Sequence, residues 1–216
     1  MTMLVQDIMK NDVMTLNPTH TIAEAVQLMQ KKKIRHIPII ENDRLIGLVT
    51  DRDVKEAAPS SLSDQLETLL YETPLSKIMK TDLIIGHPRD FIEEAALLFY
   101  TYEIGCLPIV SNYQLVGILT KTDLLYNYIE LTGANQPSSH IQIRVPNQPG
   151  ILFEVSKVFH QHNTNVLSVL VYPYQDDESY KILAVRIKRM NPLSIIEDLK
   201  TEGFQVLWPS EPEMNL

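Results

Sequence analysis

The sequence has few of the residues on which many folds and active sites depend, with one cysteine and seven glycines among 216 residues. The single cysteine, Cys106, cannot form an internal disulfide, so a disulfide-stapled fold is excluded. We interpret it as a small buried hydrophobe beside Leu107 and Pro108, in preference to a reactive thiol. No P-loop and no Gly-x-Gly-x-x-Gly pattern occurs, which excludes the glycine-rich phosphate loops of many nucleotide-dependent enzymes.

Basic residues and long apolar runs are also scarce. Lysine and arginine number 19 against 27 aspartates and glutamates, which gives a formal charge of −8. Phosphate binding needs clustered cations, so this balance argues against a dedicated nucleic-acid surface and requires any anionic ligand to use a locally basic pocket. No apolar run approaches the roughly 18 residues that span a bilayer, and no basic and apolar leader opens the chain. We therefore expect a cytoplasmic protein without membrane contact.

A recognisable catalytic constellation is missing as well. His160 and His162 lie two positions apart on a predicted helix, where they point to different faces and cannot easily share a metal ion. Paired carboxylates such as Asp51 and Asp53 fall at helix starts, where acids are favoured without catalysis. We expect a protein that is not an enzyme, with no catalytic residue, no metal and no required cofactor.

What the sequence does contain is a duplication. Moving residues 8–54 forward by 70 positions, without a gap, aligns many identical residues. Chance leaves about one identity in twenty positions, so the match predicts two similar units related by a pseudo-twofold axis. The identities include Ile8/Ile78, Met9/Met79, Lys10/Lys80, Pro18/Pro88, Glu24/Glu94, Pro38/Pro108, Gly47/Gly117, Thr50/Thr120 and Asp53/Asp123.

Each unit has the same predicted order of elements, βαββα. A short strand at 13–16 ends before Pro18, and a helix follows with Thr21 and Glu24 as its capping box. In the second copy we expect Asp90 and Glu93 to take the capping role. An apolar hairpin at 37–49 then leads into a second helix that begins at 50–53.

Two copies of about 50 residues should pack together and leave equivalent clefts, because one copy cannot bury both faces of its sheet. The strongest candidates in these clefts are Thr50 with Asp53 and Thr120 with Asp123. Two interpretations remain open. Thr-x-x-Asp after a strand is an N-terminal capping box, which is a purely structural role. Alternatively, the carboxylate oxygens hold the 2′ and 3′ hydroxyls of a ribose, while the threonine and the helix start face a phosphate.

Residues 34–40 (Ile-Arg-His-Ile-Pro-Ile-Ile) and 45–54 resemble the signature of a CBS domain, and the 70-residue repeat resembles the tandem pair called a Bateman module. The resemblance implies a sensor of an adenosine-containing ligand, such as AMP, ADP, ATP, S-adenosylmethionine or NAD, with Asp53 and Asp123 on the ribose. The implied first site comprises Thr15, Arg35, His36, Ile37, Pro38, Thr50, Arg52 and Asp53. The implied second site comprises Ile85, Leu107, Pro108, Thr120, Lys121 and Asp123.

The two clefts are not expected to be equal. The first repeat offers the basic side chains of Arg35, His36 and Arg52. A phosphorylated ligand should therefore prefer the first site, because paired phosphates need local cations. The equivalent positions of the second repeat carry no basic side chain and are Gly105, Cys106 and Thr122.

The composition changes after Leu131, where a run of turn-forming residues predicts a linker. The remaining segment shows the pattern βαββαβ and resembles an ACT domain, especially at 145–152. Such domains pair side by side and bind amino acids near the first turn. The resemblance therefore implies a homodimer or a higher homo-oligomer, and it makes dimerisation the favoured role over amino-acid binding. The implied ligand residues are Asn147, Gly150, Ile151, Asn163 and Asn165.

The expected fold class is α/β (α+β), with two CBS repeats followed by a ferredoxin-like ACT domain. We place the first repeat at 1–58, a connector with a short helix near Leu66 at 59–76, and the second repeat at 77–131. A linker follows at 132–139, and the ACT domain occupies 140–210.

Taken whole, this order of domains, with Thr-Lys-Thr-Asp-Leu-Leu at 120–125 and Leu-Thr-Gly-Ala at 131–134, resembles acetoin utilization proteins of Gram-positive spore formers. The resemblance implies a regulator of growth on acetoin or butanediol, with a role in sporulation. It also implies a partner enzyme of acetoin or acetyl-CoA metabolism. The alternative is an amino-acid-responsive regulator that senses at the ACT dimer interface and whose CBS clefts are structural.

Overall fold

Each repeat contains a helix, a two-stranded hairpin and a second helix. The computed structural model describes residues 3–57 and 72–210. In the first repeat the elements are α1 (Ile22–Lys32), β1 (His36–Glu41), β2 (Arg44–Thr50) and α2 (Asp51–Ala57). In the second they are α3 (Ile92–Thr101), β3 (Cys106–Ser111), β4 (Gln114–Thr120) and α4 (Lys121–Thr132). The connector helix predicted near Leu66 lies outside the described residues.

The two hairpins form one four-stranded sheet in the order β1-β2-β4-β3. Within each hairpin the register is equivalent, since His36 lies opposite Thr50 and Cys106 lies opposite Thr120. The hairpins join through antiparallel pairing at Arg44 and Gln114. The predicted pseudo-twofold relation between the repeats is therefore visible in both pairing and order.

The short strand predicted at 13–16 was wrong in extent, because only Leu16 pairs there. Its N–H donates to the Pro38 carbonyl at 3.2 Å, and its carbonyl accepts from Ile40 N at 2.9 Å. Extending this parallel ladder in either direction would require an N–H from Pro38 or from Pro18, and proline has none. In the second repeat Gly86 pairs with Ile109 in the same way, and Pro88 and Pro108 flank the bridge.

Helix α1 begins as predicted, with Thr21 N donating to Glu24 Oε2 at 2.7 Å and Glu24 N donating to Thr21 Oγ1 at 3.3 Å. The capping prediction for the second repeat was wrong by one residue. Phe91 N donates to Glu94 Oε2 at 3.1 Å, whereas Asp90 accepts from the backbone of His87. Helix α3 therefore has only the Glu94 half of a capping box, because the Phe91 side chain has no hydrogen-bond acceptor.

The segments that lead into the repeats are exchanged between them. We call residues 4–10 and 74–80 the leading segments. Val5 is fully buried with Ala95 and Phe99 in the core of the second repeat, while Leu75 is fully buried with Ile22 in the core of the first. Backbone hydrogen bonds hold both leading segments in place. Val5 N donates to the Asp90 carbonyl at 2.9 Å, and Leu75 N donates to the His20 carbonyl at 2.7 Å. Each repeat therefore completes the core of the other.

The C-terminal part confirms the predicted βαββαβ order and forms a second unit, with the division between Leu125 and Tyr126. Its elements are β5 (Ser139–Pro146), α5 (Ile151–Gln161), β6 (Val166–Pro173), β7 (Tyr180–Ile187), α6 (Leu193–Thr201) and β8 (Gln205–Trp208). The sheet order is β6-β7-β5-β8, so β6 and the short β8 are its edges. Ile141, Ile143 and Val145 of β5 pack with both helices in one core.

Within residues 3–57 and 72–210, no helix combines the length and hydropathy that crossing a bilayer requires.

Candidate ligand-binding cleft

The motif aspartates are held in the geometry of a capping box. Thr50 donates to Asp53 Oδ2 from its backbone N–H at 2.8 Å and from its hydroxyl at 2.7 Å, and Asp53 N donates back to Thr50 Oγ1 at 3.3 Å. Thr120 and Asp123 repeat the arrangement. Both carboxylates are buried, with 6% and 9% of the residue exposed. One oxygen of each carboxylate is thus committed to its own helix start.

The second oxygen of each carboxylate binds a lysine from the other repeat. Lys80 Nζ lies 3.0 Å from Asp53 Oδ1, and Lys10 Nζ lies 3.0 Å from Asp123 Oδ1. These two lysines belong to the exchanged leading segments, and we did not predict their role. The signal was present in the repeat, since Lys10 and Lys80 are equivalent and identical.

Two opposing effects act on the carboxylate of Asp53. Burial disfavours the charged form and by itself raises the pKa of Asp53. The hydrogen bonds from Thr50 and Lys80, with the positive charge of Lys80, outweigh burial and hold the pKa below its ordinary value of 3.8. The group is therefore a stable anion at neutral pH, available to accept hydrogen bonds.

A cavity of about 500 Å³ opens beside these helix starts, and residues of both repeats line it. This volume falls within the range of small-molecule sites. Lysine and arginine contribute four of its lining side chains and aspartate two, so the cavity is locally basic within an acidic protein. The lining residues are Lys10, Asp12, Val13, Met14, Lys33, Ile34, Arg35, His36, Asp51, Gly105, Ile118, Thr120, Lys121 and Thr122.

The structure groups the predicted site residues differently from the two implied sets. Arg35 and His36, which we assigned to the first site, line the same cavity as Thr120 and Lys121 of the second. The reason is the pseudo-twofold packing, which turns the start of β1 toward the start of α4. Arg35 and His36 therefore lie beside the second repeat's helix start as well as beside Asp51 of their own repeat.

Other predicted residues lie outside this cavity. Arg52 is largely exposed and pairs with Glu56 of its own helix at 3.8 Å. Ile85 is 49% exposed, and Thr15 lines a neighbouring cavity of about 430 Å³. The buried strand residues of the two implied sets are Ile37, Pro38, Leu107 and Pro108. Asp123 does not line the cavity itself but bonds to Thr120 and Lys10, which both line it.

His36 lines the cavity, and the charge of its ring depends on burial and on three neighbouring charged groups. Burial lowers the pKa of His36 below 6.5, with Arg35 adding to the effect and Asp51 and Asp53 opposing it. The ring is therefore neutral at neutral pH in the ligand-free protein. Gly105 leaves it room, because a Cβ at position 105 would lie 3.1 Å from His36 Nε2.

Cys106 has the properties expected of a structural residue. Its side chain packs with Leu48 and Ile118 and is 3% exposed. Burial, with a smaller contribution from Asp123, raises the pKa of the Cys106 thiol to about 12. A thiol of this kind stays protonated and is a poor nucleophile.

The candidate ligand residues of the ACT domain do not converge within one unit. Gly150 begins α5 with a left-handed φ of 84° and open space around its Cα, and Asn147 contacts the Glu178 carbonyl at 3.5 Å. Asn163 and Asn165 lie beyond the other end of this helix. Eleven residues of α-helix separate the two groups by about 16 Å.

His162 also has a local partner, since its Nε2 lies 2.7 Å from Asp198 Oδ2. Over the ranges that the structure describes, no group of three or more histidine, cysteine, aspartate or glutamate side chains is placed to hold a metal ion.

Comparison with known proteins assigns both parts of the chain. The CBS domain family matches residues 5–60 and 75–130, and the ACT domain family matches residues 139–204. The CBS domain-containing protein YhcV of Bacillus subtilis is 34% identical over 137 residues, which is 63% of this chain and 94% of YhcV.

Two solved structures extend the comparison. An acetoin utilization protein (AcuB) from Vibrio cholerae is 36% identical with a TM-score of 0.55, and the match covers 63% of this chain and 97% of that one. The CBS domain pair of protein MJ0100, in complex with 5′-methylthioadenosine and S-adenosyl-L-methionine, is 25% identical with a TM-score of 0.52. This second match covers 63% of this chain and all of the MJ0100 pair.

Proposed function

This chain belongs to the CBS domain family and carries an ACT domain after its CBS pair, and from this we propose that it is a non-catalytic regulatory protein that binds an adenosine-containing ligand. CBS and ACT domains are regulatory modules. The observation that carries the proposal is the basic cavity lined by both repeats. AMP, ADP, ATP, S-adenosylmethionine and NAD are the candidate ligands, and the MJ0100 pair binds two compounds of this class.

The phosphate of such a ligand would lie near Arg35, His36 and Lys121. These side chains bring cations to a protein whose overall charge repels phosphate, so they supply the local attraction that binding needs. The N–H groups at the start of α4 add a second favourable element, because helix N-termini stabilise anions.

The ribose would lie on Asp123, in exchange for Lys10. In the ligand-free chain Lys10 occupies the oxygen of Asp123 that Thr120 leaves open. A vicinal diol can donate two hydrogen bonds to a carboxylate, so it can replace the ammonium as a partner of Asp123. Lys10 lines the cavity and would then be released toward the phosphate.

A ligand panel in thermal melts tests this function. AMP, ATP, S-adenosylmethionine and NAD form one arm, while serine, leucine and phenylalanine form a second arm for the ACT domain. A ligand at about 100 times its Kd stabilises the unit that binds it by about 2.7 kcal/mol, which moves its transition by several degrees. A response to amino acids alone would favour the alternative, an ACT-based sensor that uses Asn147 and Gly150.

The aspartate variants then locate the site. We expect Asp123→Asn to remove the AMP shift and Asp53→Asn, with the equivalent geometry in the other repeat, to keep most of it. A shift lost only in Asp53→Asn would place the ligand in the first repeat's cleft. A shift kept in both variants would contradict the ribose assignment.

We also propose a homodimer through the ACT edge strand β6. Among the residues that the structure describes, no strand pairs with its outer side, and five of its large apolar side chains are at least 37% exposed: Val166, Val169, Leu170, Val171 and Tyr172. An exposed apolar edge of this kind invites pairing with a second chain. Val171→Lys should therefore break this pairing and lower the molecular mass that analytical ultracentrifugation measures. An unchanged mass would contradict pairing at β6.

The pathway proposal is a cytoplasmic role in acetoin or butanediol utilization, with an enzyme of acetoin or acetyl-CoA metabolism as partner and an effect on sporulation. It is supported by the 36% identity to the Vibrio cholerae acetoin utilization protein over 63% of this chain. Deleting the coding sequence should slow growth on acetoin and leave growth on glucose unchanged. Equal growth on both carbon sources would contradict the role.

A further inference from the structure

The face of the ACT sheet that points away from its helices carries aromatic and basic side chains but no acidic one. Ile141, Ile143 and Val145 of β5 point into the core, so the alternate residues of each strand lie on the opposite, outer face. The strand register arranges the outer-face residues in three rows across the sheet. The rows are Tyr172, Ile182, Arg144 and Gln205; Leu170, Ala184, Gln142 and Trp208; and Ser168, Arg186 and His140.

The outer face is positively charged within an acidic protein. Strands β5 to β8 contain no aspartate or glutamate, and the acidic residues between positions 139 and 208 all lie in helices or in the connections between elements. Burial, with Arg186 adding to it, lowers the pKa of His140 below 6.5, so this ring is neutral at neutral pH. The charge of the face therefore comes from the guanidinium groups of Arg144 and Arg186.

The guanidinium of Arg144 is held in place by aromatic rings. It lies 4.5 Å from the centre of the Tyr180 ring and 5.4 Å from that of Tyr174. Among the residues that the structure describes, no carboxylate forms an ion pair with it. Asp177 is within electrostatic range, but its Oδ1 accepts hydrogen bonds from the N–H and the hydroxyl of Ser179. The stacked guanidinium can therefore receive a carboxylate from outside the unit.

Arg186 provides a second positive group on the same face. Its Nη1 donates to Ser138 Oγ at 3.1 Å, and within the described ranges it too lacks an ion pair with a carboxylate. Four residues along β5 and one strand across separate the two arginines, so their Cα atoms are about 14 Å apart. Ala184 lies between them, and its short side chain leaves a shallow apolar area beside the exposed Leu170.

We propose that this outer face binds an extended, acidic peptide segment of a partner protein, with the pattern acid-x-apolar-x-acid. In an extended chain, residues i and i+4 point to the same side and lie about 13 Å apart, so two carboxylates can reach Arg144 and Arg186 together. The apolar residue between them covers Ala184. Arginine binds a planar carboxylate through two parallel hydrogen bonds, and arginine and tyrosine side chains dominate the binding energy of many protein interfaces.

Charge favours a peptide over a single-stranded nucleic acid. A nucleic acid carries a phosphate at every nucleotide, and two arginines cannot offset this charge in a protein with a formal charge of −8. A peptide has negative charge only where the arginines meet it. The outer face shares no residue with the basic cavity, so the proposal does not depend on the proposed nucleotide ligand.

Fluorescence anisotropy of labelled peptides with the full-length chain tests the proposal. The probe is Ser-Glu-Thr-Leu-Thr-Glu-Ser. A control, Ser-Thr-Glu-Leu-Glu-Thr-Ser, has the same composition but places its glutamates two residues apart, and a second control replaces both glutamates of the probe by glutamine. We expect the probe to bind at least about tenfold more tightly than either control, because each control loses one or both charged hydrogen-bonded pairs. These comparisons use the wild-type protein, so they do not depend on the folding of a variant.

Protein variants locate the contact. Arg144→Gln and Arg186→Gln should each raise the Kd of the probe about tenfold, and Lys157→Gln, which removes a cation on the helix side of the same unit, should change it less than about twofold. AMP binding should stay unchanged in all three variants.

Four results would overturn the proposal. The first is no saturable binding of the probe up to about 1 mM, and the second is equal binding of the probe and both controls. The third is tighter binding of an oligouridine than of the probe, which would assign the face to nucleic acid. The fourth is a lower molecular mass of Arg144→Gln than of wild type in analytical ultracentrifugation, which would mean that a second copy of this chain covers the face.

Discussion

Lys80 Nζ lies 3.0 Å from Asp53 Oδ1, although the lysine belongs to the segment that leads into the second repeat and the aspartate to a helix of the first. Lys10 and Asp123 form the equivalent pair. Each motif carboxylate thus joins its own helix start to the leading segment of the other repeat. A ligand that uses the carboxylate must share it with this lysine or displace it, which couples ligand binding to the contact between the repeats.

The Lys80 contact should contribute modestly to stability. Lys80→Met leaves a buried carboxylate with its Thr50 hydrogen bonds but without a counter-charge. Because the lysine side chain is 60% exposed, we expect a loss of about 1 kcal/mol in the free energy of unfolding. Urea denaturation measures it, and Lys77→Met, a nearby exposed lysine, is the control. Equal stability of the two variants would mean that the ion pair contributes nothing.

Lowering the pH should reduce the free energy of unfolding of the wild-type protein more than that of the Asp53→Asn variant. The pKa of Asp53 is lowered in the folded state from 3.8, so its contribution is present above this value and is lost as the pH falls through the folded pKa. The stability difference between wild type and Asp53→Asn should therefore stay constant well above pH 3.8 and narrow as the pH falls through and below 3.8. A difference that stays constant below pH 3.8 would contradict the lowered pKa.

AMP binding should take up a proton at His36. The ring is neutral in the free protein because burial lowers the pKa of His36 below 6.5, and a bound phosphate favours the protonated ring. Affinity for AMP should therefore rise as the pH falls toward and below 6.5. Calorimetry in buffers of different ionisation enthalpy measures the uptake. His36→Gln should remove it, and adenosine, which has no phosphate, should show none with the wild type.

Gly117 should be intolerant of a side chain. A Cβ at this position would lie 2.6 Å from Met9 Sδ and 3.1 Å from the Lys10 carbonyl, both in the exchanged leading segment. We expect Gly117→Ala to destabilise the protein by about 1–3 kcal/mol in thermal denaturation. Adding Met9→Ala should relieve part of this effect, so that the double variant loses less than the sum of the two. Strict additivity would show that Met9 is not the obstacle.

Much of the fold could be predicted from local patterns. The duplication, the hairpins and the βαββαβ order follow from periodicity, turn residues and the 70-residue shift, and the structure confirms them. The strand expected at 13–16 was wrong in extent, because the length of a pairing depends on the partner strand. Pro38 withholds the N–H that a longer ladder needs, and this requirement is invisible until the register is known.

The candidate site was harder to predict for the same reason. Thr50 and Asp53 form a capping box, as one of the two interpretations required, and this does not exclude ribose binding by an oxygen now held by Lys80. The pseudo-twofold packing of the repeats decides which cleft Lys80 or Arg35 reaches. This packing depends on long-range contacts, so the spacing of residues within one repeat does not predict it.

Calorimetric titration of AMP into Arg35→Gln and Arg52→Gln tests the central claim most directly. The two arginines belong to the same predicted site, yet Arg35 lines the basic cavity whereas Arg52 is exposed and paired with Glu56. We expect Arg35→Gln to raise the Kd about tenfold or more, the loss of one charged hydrogen bond, and Arg52→Gln to change it less than about twofold. A large loss with Arg52→Gln and none with Arg35→Gln would contradict the assignment of this cavity to the phosphate.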